Sequence, residues 1–205
     1  TDLHHWLRIK DITLDVAKTF ADLTFINLGG GLPIVYNPKT DSPMPLKDWG
    51  ASLSDSFTSF SREYGKDVRL EIEPGRFVVA ECGYLLAEIQ NIKTTPGYEY
   101  ALLNTGFNHN PRPAMYGSYH PILCESGDVF TRSESGELLP REFPELRVGD
   151  LMVMGLIGAY SHAMKSEYNS MNLPASVLVS EDGSHRVIER RGTLEDIMRR
   201  EVEAF

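Results

Sequence analysis

At 205 residues, 41% of them hydrophobic and 24% charged, the chain has the make-up of a soluble globular protein with one large domain or two small ones. Its net charge of −9 argues against nucleic acid or an anionic membrane as a partner, since both demand a basic face, and its apolar runs are far shorter than a membrane span. Two cysteines, Cys82 and Cys124, are too few for a disulfide framework and suit a reducing cytoplasm, while the adjacent His4 and His5 make poor zinc ligands.

The chain opens on Thr1 with no signal-peptide pattern, which reads as a processed or truncated piece. Leu7, Ile12, Leu14, Val16, Ala17 and Phe20 give residues 3–20 an imperfect apolar helical face. A buried strand at 23–28 runs into Gly29-Gly30-Gly31. Pro33, Pro38, Pro43 and Pro45 make 33–45 irregular. A helix is expected from Leu46 to Tyr64, stopped by Gly65. A second buried strand at 68–72 leads into Glu73-Pro74-Gly75-Arg76. This rhythm is the end of an α/β fold.

From Tyr84 the texture changes to strand-like runs at 84–92, 99–104, 119–124, 151–154 and 175–180. Turn signals at Pro96-Gly97, Ser126-Gly127-Asp128 and Val148-Gly149-Asp150 separate them. Asp182-Gly183 predicts a hairpin into His185–Ile188. Thr193-Leu194-Glu195-Asp196 is a cap pattern for a last helix, with Leu194, Ile197, Met198 and Val202 on one face. The sequence therefore divides into 1–82, α/β, and 83–205, β-rich with a terminal helix.

The two strand-end loops carry the clearest chemistry. Three glycines after a buried strand leave backbone N–H groups bare, so an anion can approach closely, although a loop that merely needs unusual dihedrals reads the same way. The second loop adds a cation, Arg76, and an acid, Glu73. In βα barrels, phosphate commonly sits on the loops after the last two strands, and these strand ends are spaced for adjacent barrel positions. Glu73 follows an aliphatic strand and is expected to be poorly solvated, hence in need of a partner. That partner is either Arg76 or Arg69, or the protonated ring nitrogen of a cofactor. Pyridoxal phosphate has both a phosphate and such a nitrogen.

Three further segments stand out. In Pro121–Asp128, Cys124 ends a strand beside two acids, Glu125 and Asp128, where a thiol can transfer a proton; the plain alternative is a small buried hydrophobe. Arg112, between Pro111 and Pro113, is expected on a stiff extended backbone suited to gripping a carboxylate, or else as an ordinary surface arginine. Tyr160, after Gly158-Ala159, reads as a hydroxyl donor to phosphate or a ring stacked on a ligand, against a core tyrosine with one wet end. His109 has no evident partner.

Asn27–Leu32, Glu73–Arg76, Arg112–Tyr116, Cys124–Asp128, and Gly158-Ala159-Tyr160 with Met164, Tyr168 and Asn169 together resemble the alanine-racemase-fold pyridoxal-phosphate decarboxylases, the diaminopimelate decarboxylase group above all. The resemblance implies an α/β-plus-β architecture: the C-terminal strands of a (β/α)8 cofactor-binding barrel, then a β-barrel or sandwich domain. It implies that Gly29, Gly30, Gly31 and the backbone at Gly75 and Arg76 hold the cofactor phosphate. Glu73 would pair with the pyridine nitrogen, and Tyr160 would lie against the cofactor. Arg76 and Arg112, assisted by Tyr116, would take substrate carboxylates, and Glu125 the distal ammonium. Cys124 would protonate the α-carbon after carbon dioxide leaves, reaching into the neighbouring subunit of a homodimer.

The family's cofactor-linking lysine lies far upstream of the glycines. Here only Lys10 and Lys18 precede them, both in the helical segment. The expectation is a C-terminal part, inactive alone and partnered by the upstream half of the same cytoplasmic enzyme. Leu32-Pro33 and Asn108–Pro111 depart from the group's usual pattern. They leave the substrate open among diaminopimelate, lysine and ornithine, with D-configured forms included. The other readings are a racemase of the same fold and a non-catalytic dimerisation or regulatory module.

Overall fold

The computed structural model describes residues 3–38, 40–124, 127–129, 131–132, 138–139 and 145–202. The chain separates into two compact units, residues 1–80 and 81–205.

The first unit is a βαβ motif with a helix before it and a short helix after it. Helix α1 (Leu3–Ala17) precedes strand β1 (Phe25–Asn27), helix α2 (Leu46–Tyr64), strand β2 (Arg69–Glu71) and the short helix α3 (Arg76–Val79). The two strands pair in parallel, Phe25 against Arg69 and Asn27 against Glu71. α2 buries Trp49, Leu53, Phe57 and Phe60, spaced at helical intervals so that they form one stripe. Phe57 and Phe60 meet Leu14, Ala17, Ile26 and Val68 in one cluster, while Trp49 and Leu53 meet Trp6 and Leu32 in another. The left-handed Gly65 (φ 76°) ends α2 and returns its N–H to Ser61 O. α1 stops at Ala17, short of the expected Phe20. Beyond it the Tyr64 hydroxyl donates to Phe20 O (2.7 Å) and accepts Leu23 N–H (2.9 Å), fixing the path into β1. Both strands are shorter than expected, each pairing with only the other among the described residues.

The second unit is built on an antiparallel sheet. Its strands are β3 (Leu85–Thr95), β4 (Tyr98–Leu103), β5 (Ile122–Cys124), β6 (Gly127–Val129) and β9 (Leu151–Met154), in spatial order β4-β3-β9-β5-β6. Its buried centre is Ile89 and Met152, against which Ile92, Ala101, Leu103, Ile122, Cys124 and Leu146 pack. β3 serves two partners: Leu85–Glu88 pair with β9, and Ile89 and, after a register shift, Asn91–Thr95 pair with β4. The short strands β7 (Thr131–Arg132) and β8 (Leu138–Leu139) form a separate ladder. Strands β10 (Ser176–Val179) and β11 (His185–Glu189) form the hairpin expected at Asp182-Gly183. Two short helices, α4 (Arg112–Tyr116) and α5 (Ser161–Met164), lie between strands, and α6 (Leu194–Met198) closes the unit. The Thr193–Asp196 box caps α6, but the helix ends at Met198 and Val202 is exposed. Among the described residues, no helix is long and apolar enough to cross a membrane.

Candidate active site

In the first unit, the parallel pairing of β1 and β2 brings the two strand-end loops side by side. Leu28 N–H donates to Glu71 O (3.0 Å) and Glu73 N–H to Gly29 O (2.8 Å). A Cβ on Gly30 would lie 2.5 Å from the Glu73 carbonyl oxygen, so the middle glycine is there because another backbone touches it. Gly29 and Gly31 have φ of 70° and 94°, which favours glycine, and the space a Gly29 side chain would enter is open. Asn27 joins the loops: its side-chain Oδ1 accepts Gly29 N–H (2.7 Å) and its Nδ2 donates to Glu73 Oε1 (2.8 Å).

Two expectations need correction here. Glu73 is exposed in this unit, not poorly solvated, because it stands beyond the end of β2 where no further element of the unit covers it. Its side-chain partner is Asn27, while Arg69 pairs with Glu71 (2.5 Å). The Arg76 guanidinium lies 5.5 Å from the Tyr36 ring centre, a cation–π contact that sets its direction. The bridging bonds of Asn27, which the sequence offers only as the first residue of the glycine motif, and the contact of Tyr36 are not among the expectations. The signal for Asn27 was present, an Asn two residues before a glycine, the pattern of an Asx turn.

In the second unit, Arg112 is neither extended nor on the surface. It is buried and begins α4, whose entrance tolerates Pro111 (φ −73°) and Pro113 because a missing N–H does no harm there. Its Nη2 donates to Ser118 Oγ (3.1 Å), and its guanidinium lies 5.7 Å from the Tyr116 ring centre and 5.3 Å from that of Tyr160. A buried cation thus sits with two exposed tyrosines. Tyr160 has φ 68° and ψ −34°, a conformation strained for a residue with a side chain.

Cys124 is half-buried on the inner sheet face, packed against the Ile89–Met152 centre, and is not in a disulfide. Glu125 and Ser126 lie outside the described residues. His109 is buried with Nδ1 2.9 Å from Thr105 Oγ1, and burial pushes its pKa below the usual imidazole value, so it is neutral at pH 7. Among the described residues, no cluster of three or more His, Cys, Asp or Glu can hold a metal.

Residues 34–123 match the family model described as "Pyridoxal-dependent decarboxylase, C-terminal sheet domain". The chain is 38% identical to a diaminopimelate decarboxylase of Buchnera aphidicola subsp. Baizongia pistaciae, an alignment covering 98% of this chain and 53% of that protein. The chain is similar over nearly its whole length to the pyridoxal-dependent decarboxylases. Its structure superposes on a crystal structure of diaminopimelate decarboxylase with a TM-score of 0.85 at 34% identity, covering 97% of this chain and 52% of the other. It superposes on the diaminopimelate decarboxylase of Helicobacter pylori, crystallised with L-lysine, with a TM-score of 0.79 at 26% identity, covering 97% and 50%. The chain spans about half the length of the curated relatives it matches.

Pyridoxal phosphate is the cofactor of this family, and the first unit's residues fit it. Among the described residues, no hydrogen bond takes the N–H of Gly30 or Gly31, the space above Gly29 is open, and a carboxylate held by Asn27 stands beside them.

Proposed function

We propose that this chain supplies the last two staves of a (β/α)8 cofactor barrel and the sheet domain of a cytoplasmic amino-acid decarboxylase, acting on diaminopimelate or a related diamino acid. The observation that carries this reading is the junction of the Gly29–Gly31 loop with Glu73, held by β1, β2 and Asn27. That junction supports a phosphate cradle beside a ring-facing acid, the pair of groups that pyridoxal phosphate requires. When bound, that cofactor withdraws electrons from the substrate's α-carbon and so eases loss of the carboxylate.

In this reading the chain's own residues bind, orient and protonate. Gly29, Gly30, Gly31 and the backbone at Gly75 and Arg76 receive the phosphate by their N–H groups, and the Arg76 side chain is a candidate for a substrate carboxylate. Glu73, its other oxygen steered by Asn27, keeps the ring nitrogen protonated. Arg112, with Tyr116 beside it, grips a substrate carboxylate; its burial strengthens that grip because little water competes. Tyr160 lies against the cofactor. Cys124 holds the proton delivered to the α-carbon, and Glu125 receives the distal ammonium. The Helicobacter pylori relative's complex with L-lysine supports the substrate class, since diaminopimelate minus one carbon dioxide is lysine. The upstream half of the enzyme would supply the lysine that anchors the cofactor, and a second copy of the enzyme would share the site.

The test is carbon dioxide release by the full-length enzyme given meso-diaminopimelate, L-lysine, D-lysine and L-ornithine separately. Release from diaminopimelate with lysine as product is expected. Racemised substrate without carbon dioxide would replace the decarboxylase with a racemase.

A further inference from the structure

We infer that the hydrogen bond between Ser161 and Asn110 is the positioning element that holds Tyr160 and Arg112 face to face, an inference that rests on the site reading above for what those two residues do. The backbone at Tyr160 (φ 68°, ψ −34°) is a γ-turn of the strained hand, closed by Ser161 N–H donating to Ala159 O at 2.9 Å. A residue with a side chain stays in such a conformation only where its surroundings fix it from several sides. Ser161, the next residue, supplies the fixing. It is fully buried, and its hydroxyl donates to Asn110 Oδ1 at 2.8 Å. Asn110 is itself 4% exposed, and its amide donates to Met154 Sδ in β9 at 3.1 Å, which ties the pair to the sheet.

Asn110 stands two residues before Arg112, and Ser161 one residue after Tyr160. A single buried bond therefore sets both ends of the 5.3 Å contact between guanidinium and ring. A second stitch joins the same two loops farther out: Asn108 Nδ2 donates to Ser166 O (2.8 Å) and Ser166 N–H to Asn108 O (2.9 Å). That outer stitch holds the loops together without touching the turn at Tyr160, so it serves as an internal control. Removing the Ser161 hydroxyl leaves Asn110 Oδ1 buried without its donor and lets the backbone at Tyr160 relax to negative φ, which turns the ring away from Arg112.

The experiment uses the full-length enzyme with Ser161→Ala, Asn110→Ala, the double variant and Asn108→Ala, each read by pyridoxal phosphate titration, by KM and kcat, by Tm and by crystal structure. Ser161→Ala and Asn110→Ala are each expected to raise the cofactor Kd and the substrate KM about tenfold, the effect of one lost hydrogen bond, with kcat changed by less than about threefold. The double variant should be no worse than either single one, because both remove the same bond. Asn108→Ala should lower Tm while leaving Kd and KM near wild type. Wild-type Kd and KM in Ser161→Ala, additive singles, or an equal rise in Asn108→Ala would overturn the inference. If the wild-type enzyme neither binds the cofactor nor releases carbon dioxide, the site reading fails by itself. The crystal structure of Ser161→Ala then decides the positioning role alone: negative φ at Tyr160 supports it and an unchanged 68° overturns it. Should Ser161→Ala fail to fold, Asn110→Ala and its crystal structure carry the same comparison.

Discussion

Asn27 donates to the Glu73 carboxylate at 2.8 Å while its own side-chain oxygen accepts the N–H of Gly29. One side chain thereby fixes both the curvature of the glycine loop and the direction of the acid. Replacing it with Ala should leave β1 and β2 paired but release Glu73 and the loop together. About a tenfold weaker binding of pyridoxal phosphate by the full-length enzyme is expected, with little change in Tm, since the bond is exposed. Asn27→Asp should be worse, because a second carboxylate would face Glu73. A cofactor titration of the two variants measures this; unaltered binding in both would remove Asn27 from the site.

Gly30 and Gly50 allow opposite outcomes for one chemical change. A methyl group on Gly30 would meet the Glu73 carbonyl oxygen at 2.5 Å, a backbone atom that cannot move without parting the two loops. Gly30→Ala should cost about 1–3 kcal/mol in urea unfolding and weaken cofactor binding. Gly50, inside α2, has nothing within 4 Å of its would-be Cβ, so Gly50→Ala should stabilise by about 0.5–1 kcal/mol through helix propensity. Equal effects at the two positions would mean that the loops do not touch as described.

Much of this layout is legible in the chain, and the exceptions have physical causes. The bounds of α2 follow from Pro45 before it, Gly65 after it and the stripe from Trp49 to Phe60, all local signals. The capping box at Thr193 and the turn at Asp182-Gly183 are local in the same sense. The state of Arg112 is not, because flanking prolines suit an extended segment and a helix entrance equally, and what packs around them decides. The exposure of Glu73 depends on which elements stand over the end of β2, which neighbours in sequence do not reveal. The two- and three-residue strands β6 to β8 are too short to show a period. The loops at Gly29–Gly31 and Glu73–Arg76 stand out in the chain as motifs, whereas the bonds of Asn27 to Glu73 and of Ser161 to Asn110 join residues 46 and 51 positions apart, which no local pattern reveals.

Cys124 offers the sharpest test of the chemistry. Packed against Ile89 and Met152, it suits a small apolar side chain as well as it suits a proton donor. In the full-length enzyme, Cys124→Ala should reduce kcat by about 10²–10⁴-fold if the thiol delivers the proton, with the cofactor Kd unchanged. Glu73→Gln should also lower kcat, since an amide holds the ring nitrogen's proton less firmly. Full turnover in Cys124→Ala would leave the residue a packing role only, and full turnover in Glu73→Gln would remove the ring-nitrogen role.

Glu189, at the end of β11, gathers three donors on one oxygen: Lys165, Ser176 (2.7 Å) and His162 (2.9 Å). The bond from Lys165 contributes most, followed by those from Ser176 and His162, and together they lower the Glu189 pKa from 4.5 to about 2. The folded-state value lies below the unfolded one, so the stabilisation is complete above about pH 4.5 and is lost as pH falls through about 2. This knot ties α5, and so the segment following Tyr160, to the β10–β11 hairpin. Tm measured from pH 6 to pH 2 should fall more steeply for the wild type than for Glu189→Gln, which lacks the titrating group. At pH 7 Glu189→Gln should be the less stable of the two, because Lys165, whose side chain is only 8% exposed, would lose its counter-charge. Parallel Tm curves for the two proteins across that range would show that the knot contributes nothing to acid sensitivity.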